Sequence, residues 1–275
     1  MVEEKKGSTK KTVVTAKPLA ADDAKRKRTL WSDKWPKHKK ALWVLLLVAW
    51  TGGSLIASQL IVVLGWRLIT HGSNFGLSDA AAQTVLSGLV YVLTAFLVIV
   101  VPTLALKLEK SRRDELGLHG LPTWTDLLLA PCGYIVFMIV AMLLIAIMQA
   151  LPLGIDWEQA QELGYDVISS TSDRLMAFLA LVIFAPVAEE LVFRGWLYAK
   201  LRAHLKAVPA ILIVSALFGL MHGQWNVGIT VGVMSIAMCV MRELTGTIYA
   251  GILIHMIKNG LAYYLLFVNP SLFGG

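Results

Sequence analysis

Apolar residues gather along this chain in runs of the length a bilayer demands, about 20 residues when helical. The clearest lie at roughly 41 to 66, 80 to 106, 127 to 152 and 174 to 199. Three more, some shortened or interrupted, follow at about 207 to 222, 226 to 242 and 247 to 268. A backbone in lipid must satisfy its own hydrogen bonds, so each run reads as a helix. The pattern predicts an all-α fold, a polytopic transmembrane bundle of about seven to eight helices.

The polar segments between the runs orient the bundle. Lys107, Lys110, Arg112 and Arg113 follow the second run, and Lys200, Arg202 and Lys206 follow the fourth. The segment 71 to 79 has no Lys or Arg, and 153 to 173 carries Asp156, Glu158, Glu162, Asp166 and Asp173. Short loops rich in Lys and Arg stay on the cytoplasmic side. The alternation therefore predicts an N-terminus inside and a C-terminus outside. The stretch Arg112 to Leu118, followed by Trp124, reads as an interfacial turn with an aromatic anchor. No fixed-period repeat and no inverted pair of broken helices is visible, which weakens a secondary-transporter reading.

Composition agrees with the pattern. The 275 residues are 57% hydrophobic and 16% charged, whereas a soluble domain carries about a quarter charged residues. Residues 1 to 40 hold 13 of the 25 Lys and Arg but 5 of the 18 acids, so the formal net charge of +7 comes from this tail. Such a segment is too polar to bury a core. We read 1–40 as a basic, disordered cytoplasmic tail and 41–275 as the transmembrane domain. Anionic lipid headgroups are the expected partner of the tail, because an apolar run follows Lys39 and Lys40 directly. Nucleic acid is not expected, since no aromatic and basic folded surface accompanies the charge. The first apolar run starts near Ala41 and is too long for a secretory signal, so no cleavage is expected. Cys132 and Cys239 sit inside apolar runs without a partner at metal-like spacing, which suggests neither a disulfide framework nor a cysteine zinc site.

The fourth run contains charges that its apolar residues do not easily carry. Glu189, Glu190 and Arg194 lie within the sequence Phe184-Ala-Pro-Val-Ala-Glu-Glu-Leu-Val-Phe-Arg194. A central charge costs about 2.5 to 3.5 kcal/mol on insertion scales, and a strongly apolar residue returns only about 0.3 to 0.6. Glu190 and Arg194 are four apart with the acid first, the favourable order for an ion pair on one helix face, although Arg194 could instead snorkel to the cytoplasmic interface. Glu189 points about 100° away and needs another partner. Pro186 can kink the helix just before it.

Candidate partners sit on later helices. Phe218 and His222 are four apart, as are His255 and Asn259. At 1.5 Å per residue the polar members can meet at one depth, roughly 12 to 22 Å from the cytoplasmic ends of their helices. Phe218 reads as packing beneath His222. Gly219 and Gly251 permit close helix approach. Lys258, beside Asn259, can pair with Glu189 or Glu190. Asn226, Trp225, Arg242 and Glu243 fall at run ends, where an interfacial role is expected.

Such a cluster suits hydrolysis. Glu189 can act as general base for water, with His222 sharing the proton or holding a metal, and His255 and Asn259 can donate to an oxyanion. Glu189, His222 and His255 can equally form a metal site with an open position for water. Both readings stand on the residues alone.

The motifs Glu-Glu-x-x-x-Arg, Phe-x-x-x-His and His-x-x-x-Asn, in this order and on successive membrane helices, resemble the CaaX protease and bacteriocin-processing (CPBP, or Abi) family of intramembrane proteases, which includes Rce1-like prenyl-protein endopeptidases. The resemblance covers about 126 to 268, the expected catalytic core. It implies that Glu189 and His222 activate water, that His255 and Asn259 steady the oxyanion, and that Glu190 contributes to the site with Arg194 and Phe218 in support. It leaves the cofactor open between a divalent metal such as zinc and a metal-free glutamate mechanism. The implied substrate is a membrane-associated peptide or protein, not necessarily prenylated, and the implied location is a bacterial plasma membrane. Two rival readings keep the same residues for other ends: a non-enzymatic immunity or scaffold protein, and a proton-coupled transporter.

Overall fold

Long apolar stretches rich in Leu, Ile, Val and Ala fold here into helices, which satisfy the backbone internally as lipid requires. The computed structural model describes residues 37–105, 113–159, 161, 165, 168 and 170–269. The expectations for residues 1–36 and for Lys107, Lys110, Arg112, Glu162 and Asp166 lie outside the described residues. Among those described, six helices are long and apolar enough to span a membrane. They are α1 (Lys39–Thr70), α2 (Asp79–Leu104), α3 (Trp124–Gln149), α4 (Thr171–Arg202), α6 (Trp225–Thr245) and α7 (Tyr249–Val268). A shorter apolar helix, α5 (Ala207–Leu220), precedes α6. The chain is thus an all-α, multi-pass integral membrane protein.

Local chemistry sets several of the helix starts. Thr123 and Asp126 form a reciprocal capping box at α3, and Ser170 and Asp173 do the same at α4, each satisfying amide groups that a helix start leaves open. Ser78 caps α2 and its hydroxyl also donates to Asp173 at 2.6 Å, tying two starts together. Asp126 is fully buried and accepts from Thr247 at 2.7 Å, which fixes the start of α7 against the start of α3.

Helix α6 packs along α5 and α3, α7 packs on α3, α6 and α4, and α2 bridges α1 to α4. The main core draws Phe193, Trp196, Leu197 and Tyr198 from α4 together with Phe218, Met234, Met238 and Ile254. Outward-facing Leu, Ile and Val, such as Leu68, Val92 and Ile147, form the apolar exterior that lipid would cover.

Helix α4 is not uniform. Wide i→i+5 turns occupy Leu179–Phe184 and Leu191–Leu197, on either side of a regular segment, Ala185–Glu190. The irregularity expected at Pro186 takes this form: the proline opens the regular segment, and the wide turn just before it accommodates the missing amide donor. Wide turns of this kind gather at functional sites, and here they flank both carboxylates.

Candidate active site

Helix α4 brings Glu189 and Glu190 to adjacent faces, and the surrounding helices meet each differently. Arg194 Nη1 donates to Glu190 Oε1 at 2.6 Å, and both side chains are fully buried. Arg194 therefore turns inward to its own helix's carboxylate and does not snorkel. Its guanidinium also lies 4.5 Å from the centre of the Phe218 ring, a cation–π contact that favours a desolvated cation. Gly251 of α7 faces the other Glu190 oxygen so closely that a Cβ there would sit 2.7 Å from Oε2.

His255 lies between the two acids. Its Nε2 is 3.8 Å from Glu189 Oε2 and its Nδ1 is 3.5 Å from Glu190 Oε1. Phe218 packs edge-on to both imidazoles, with ring centres 5.0 Å from His222 and 5.9 Å from His255. It is a hub shared by two histidines and an arginine, more than the packing beneath His222 that its spacing suggests. His222 Nδ1 is 2.8 Å from the carbonyl oxygen of Phe218. A carbonyl only accepts, so this nitrogen carries the proton and Nε2 of the neutral ring keeps its lone pair. The ionisable groups within electrostatic reach of His222 are Glu189, Lys258 and His255.

Asn259 reaches the same region from α7, but its amide donates to the carbonyl oxygen of Leu181 at 2.8 Å. Leu181 belongs to the first wide turn of α4, whose altered hydrogen-bond register leaves carbonyls to be satisfied by side chains. One amide proton of Asn259 thus serves the scaffold, and the second remains for other acceptors. Lys258 feels Glu189 as its nearby charge but stands outside ion-pair distance of either acid.

Glu190, Arg194, His255 and Phe218 are buried, whereas Glu189, His222, Lys258 and Asn259 are half-buried. Glu189 Oε2, Glu190 Oε2 and His255 Nδ1 are buried atoms without a hydrogen-bond partner among the described residues. Unsatisfied buried polar atoms are rare in folded proteins and need an explanation, a catalytic role among the candidates. Three of them at one point on α4 and α7 mark a polar centre inside an apolar bundle.

The sequence gives no hint of one further contact. The hydroxyl of Tyr91, on α2, donates to Glu189 Oε1 at 3.0 Å. A lone tyrosine within a long apolar run has no periodic signature, and only its position far from either end of the run singles it out.

As a metal centre the trio Glu189, His222 and His255 does not fit. Among the described residues no group of three His, Cys, Asp or Glu side chains converges closely enough to hold an ion. Cys132 and Cys239 are both free. A separate apolar groove of about 540 Å³ runs along α5 and α6, lined by Ser215, Gly219, Trp225, Gly228 and Gly232 among others. Neither carboxylate lines it, so it is not the polar centre.

One residue expected at the interface is packed inside the protein. Arg242 is buried, and it donates to the carbonyl oxygens of Gly246 and, at 2.8 Å, of Glu115. Glu243 accepts from Tyr198 at 2.7 Å and pairs with Arg202 at 2.8 Å. A charge at the end of an apolar run reads as interfacial, but the turn around Glu115 folds over Arg242 and excludes it from solvent. Trp225 and Trp124 are exposed.

Fold and polar centre together define a membrane-embedded protein with a buried carboxylate and histidine cluster. Its residues 171–261 match a family described as type II CAAX prenyl endopeptidase Rce1-like. The matched stretch runs from the start of α4 into α7 and contains Glu189, Glu190, Arg194, Phe218, His222, His255 and Asn259, while α1 to α3 lie outside it. No curated protein and no solved structure matches the chain.

Proposed function

We propose that this protein is an intramembrane endopeptidase, in which Glu189 and the histidines activate water to hydrolyse a peptide bond. The observation that carries this reading is the approach of Glu189 Oε2 to within 3.8 Å of His255 Nε2, with that oxygen unpartnered and the side chain half-buried. A water molecule lodged there can bond to both groups. The endopeptidase family matched by residues 171–261 supports the same chemistry.

In the proposed step the water oxygen attacks the scissile carbonyl carbon, and its proton passes to Glu189 with help from the Nε2 lone pair of His222. The carbonyl oxygen becomes an oxyanion and accepts hydrogen bonds from His255 and from the amide proton of Asn259 that Leu181 does not engage. Collapse of the tetrahedral intermediate breaks the C–N bond, and the proton held by Glu189 goes to the leaving amine nitrogen. Glu190 contributes by holding His255 from its other side, while Arg194 and Phe218 keep Glu190 and the rings in place. The step uses side chains of this chain and water.

The substrate in this reading is a peptide or a membrane-anchored protein presented near the cytoplasmic side of a bacterial plasma membrane. The basic N-terminal residues would lie against anionic lipid on that side.

Purified protein in liposomes, given an internally quenched peptide with or without a farnesyl group on its cysteine, tests the proposal. Wild type should cleave at least one form, and Glu189→Ala should lower the rate by at least about 100-fold with the thermal unfolding profile unchanged. Equal cleavage by both proteins would remove Glu189 from the mechanism. Proton uptake into sealed vesicles that depends on peptide but leaves the peptide intact would point to a proton-coupled carrier. Neither cleavage nor proton movement would favour the scaffold reading.

A further inference from the structure

The Tyr91 hydroxyl lies 3.0 Å from Glu189 Oε1, and we infer that Tyr91 is a positioning residue for the hydrolytic centre, fixing the Glu189 carboxylate so that its second oxygen faces His255. The inference rests on the endopeptidase reading for its catalytic consequence, but the contact itself does not.

Tyrosine in a membrane helix ordinarily sits at the water interface. Tyr91 does not fit that role. It lies twelve residues beyond Asp79, the first residue of α2, or roughly 18 Å along the axis at 1.5 Å per residue. At such depth a phenol needs a protein partner, because lipid offers none. The partner is a carboxylate, which can only accept, so the direction of the bond is fixed.

Besides Tyr91 from α2, the charged and titratable groups near Glu189 are His255 of α7 at 3.8 Å, and His222, on the turn after α5, and Lys258 of α7, both within electrostatic reach. Among the described residues Tyr91 alone is hydrogen-bonded to the Glu189 side chain. His255 stands 3.8 Å away and the Oε2 atom has no partner. A glutamate side chain rotates about three torsions, and fixing one oxygen removes most of that freedom from the other. The phenol therefore orients the base without touching the reacting atoms. It does so from a helix outside the family-matched segment, so the matched residues alone do not define the centre.

The test is Tyr91→Phe, which keeps the ring and deletes the donor, measured on the full chain in liposomes with the two quenched peptides. Expected is a fall in kcat of about 10- to 100-fold, with KM changed by less than about threefold and the unfolding temperature retained. Tyr134→Phe, a control on α3, should leave kcat as it is. In infrared difference spectra against Glu189→Gln, the carboxyl band of Glu189 should shift when Tyr91 becomes phenylalanine. An unchanged kcat, or a loss of kcat that tracks a loss of folded protein, would overturn the positioning role. An unshifted band would overturn the hydrogen bond itself. If wild type cleaves neither peptide, the endopeptidase reading falls and the positioning role with it, while the band still decides whether Tyr91 anchors the carboxylate.

Discussion

Glu190 and Arg194 illustrate how a membrane helix can carry two full charges. Each alone would be costly in lipid, yet four residues apart they neutralise one another at 2.6 Å, and Phe218 covers the guanidinium with its ring. Removing one partner leaves the other charge buried and uncompensated. Arg194→Met should therefore destabilise the protein by about 3 to 5 kcal/mol, and adding Glu190→Gln to it should restore much of the loss. Denaturant unfolding in detergent micelles measures both. The cluster's donor geometry leads to a second expectation. Because Glu189, His222 and His255 do not converge as a three-ligand set, cleavage should persist after prolonged dialysis against a strong chelator, and full loss with recovery on adding zinc would contradict this. The Glu190–Arg194 pair is legible in the sequence, since spacing alone puts the two on one face. Tyr91 is not, because its partner is 98 residues away and no local pattern encodes the meeting. The Asn259 bond to a carbonyl is equally hidden, as it depends on a wide turn in α4 that the apolar pattern does not announce.

At the level of helices, two contacts depend on the lack of a side chain. A Cβ on Gly219 would stand 2.5 Å from the backbone oxygen of Gly228, where α5 crosses α6. A backbone atom cannot swing aside as a side-chain tip can. Gly219→Ala should thus force the two helices apart and cost about 1 to 3 kcal/mol, whereas Gly53→Ala, with nothing within 4 Å, should cost nothing measurable. Parallel thermal melts in one detergent suffice for the comparison. Gly251 meets a carboxylate tip instead, so Gly251→Ala should mainly displace Glu190 and loosen His255. Its expected signature is a lower kcat with a smaller loss of stability than Gly219→Ala. Helix positions follow the apolar runs closely because lipid leaves the backbone no other option. The ends are less legible: α4 extends to Thr171 and Arg202, past the apolar run, through the capping box at Ser170 and the pairing of Arg202 with Glu243.

For the molecule as a whole, the charge distribution of the loops predicts a definite sidedness. Single cysteines placed near residue 113 and near residue 204 should react with a membrane-impermeant thiol reagent only from the cytoplasmic side, and a cysteine near 156 only from the opposite side, in a background lacking Cys132 and Cys239. Reversed labelling would invert the topology and with it the face from which substrate reaches Glu189. The all-helical architecture is legible from composition and pattern together, but the way distant segments lock onto one another is not. Arg242 is the clearest instance: its guanidinium bonds to the carbonyl oxygens of Glu115 and Gly246, and the Ile248 amide donates to the Gly117 carbonyl at 3.2 Å. This stapling means that the stretch matched to the endopeptidase family is not a transplantable module. Excised at Thr171, it would keep a cation in a dry interior after losing one of the carbonyls that solvate it. Any chimera or minimal enzyme built from this chain must bring the turn at 113–118 along.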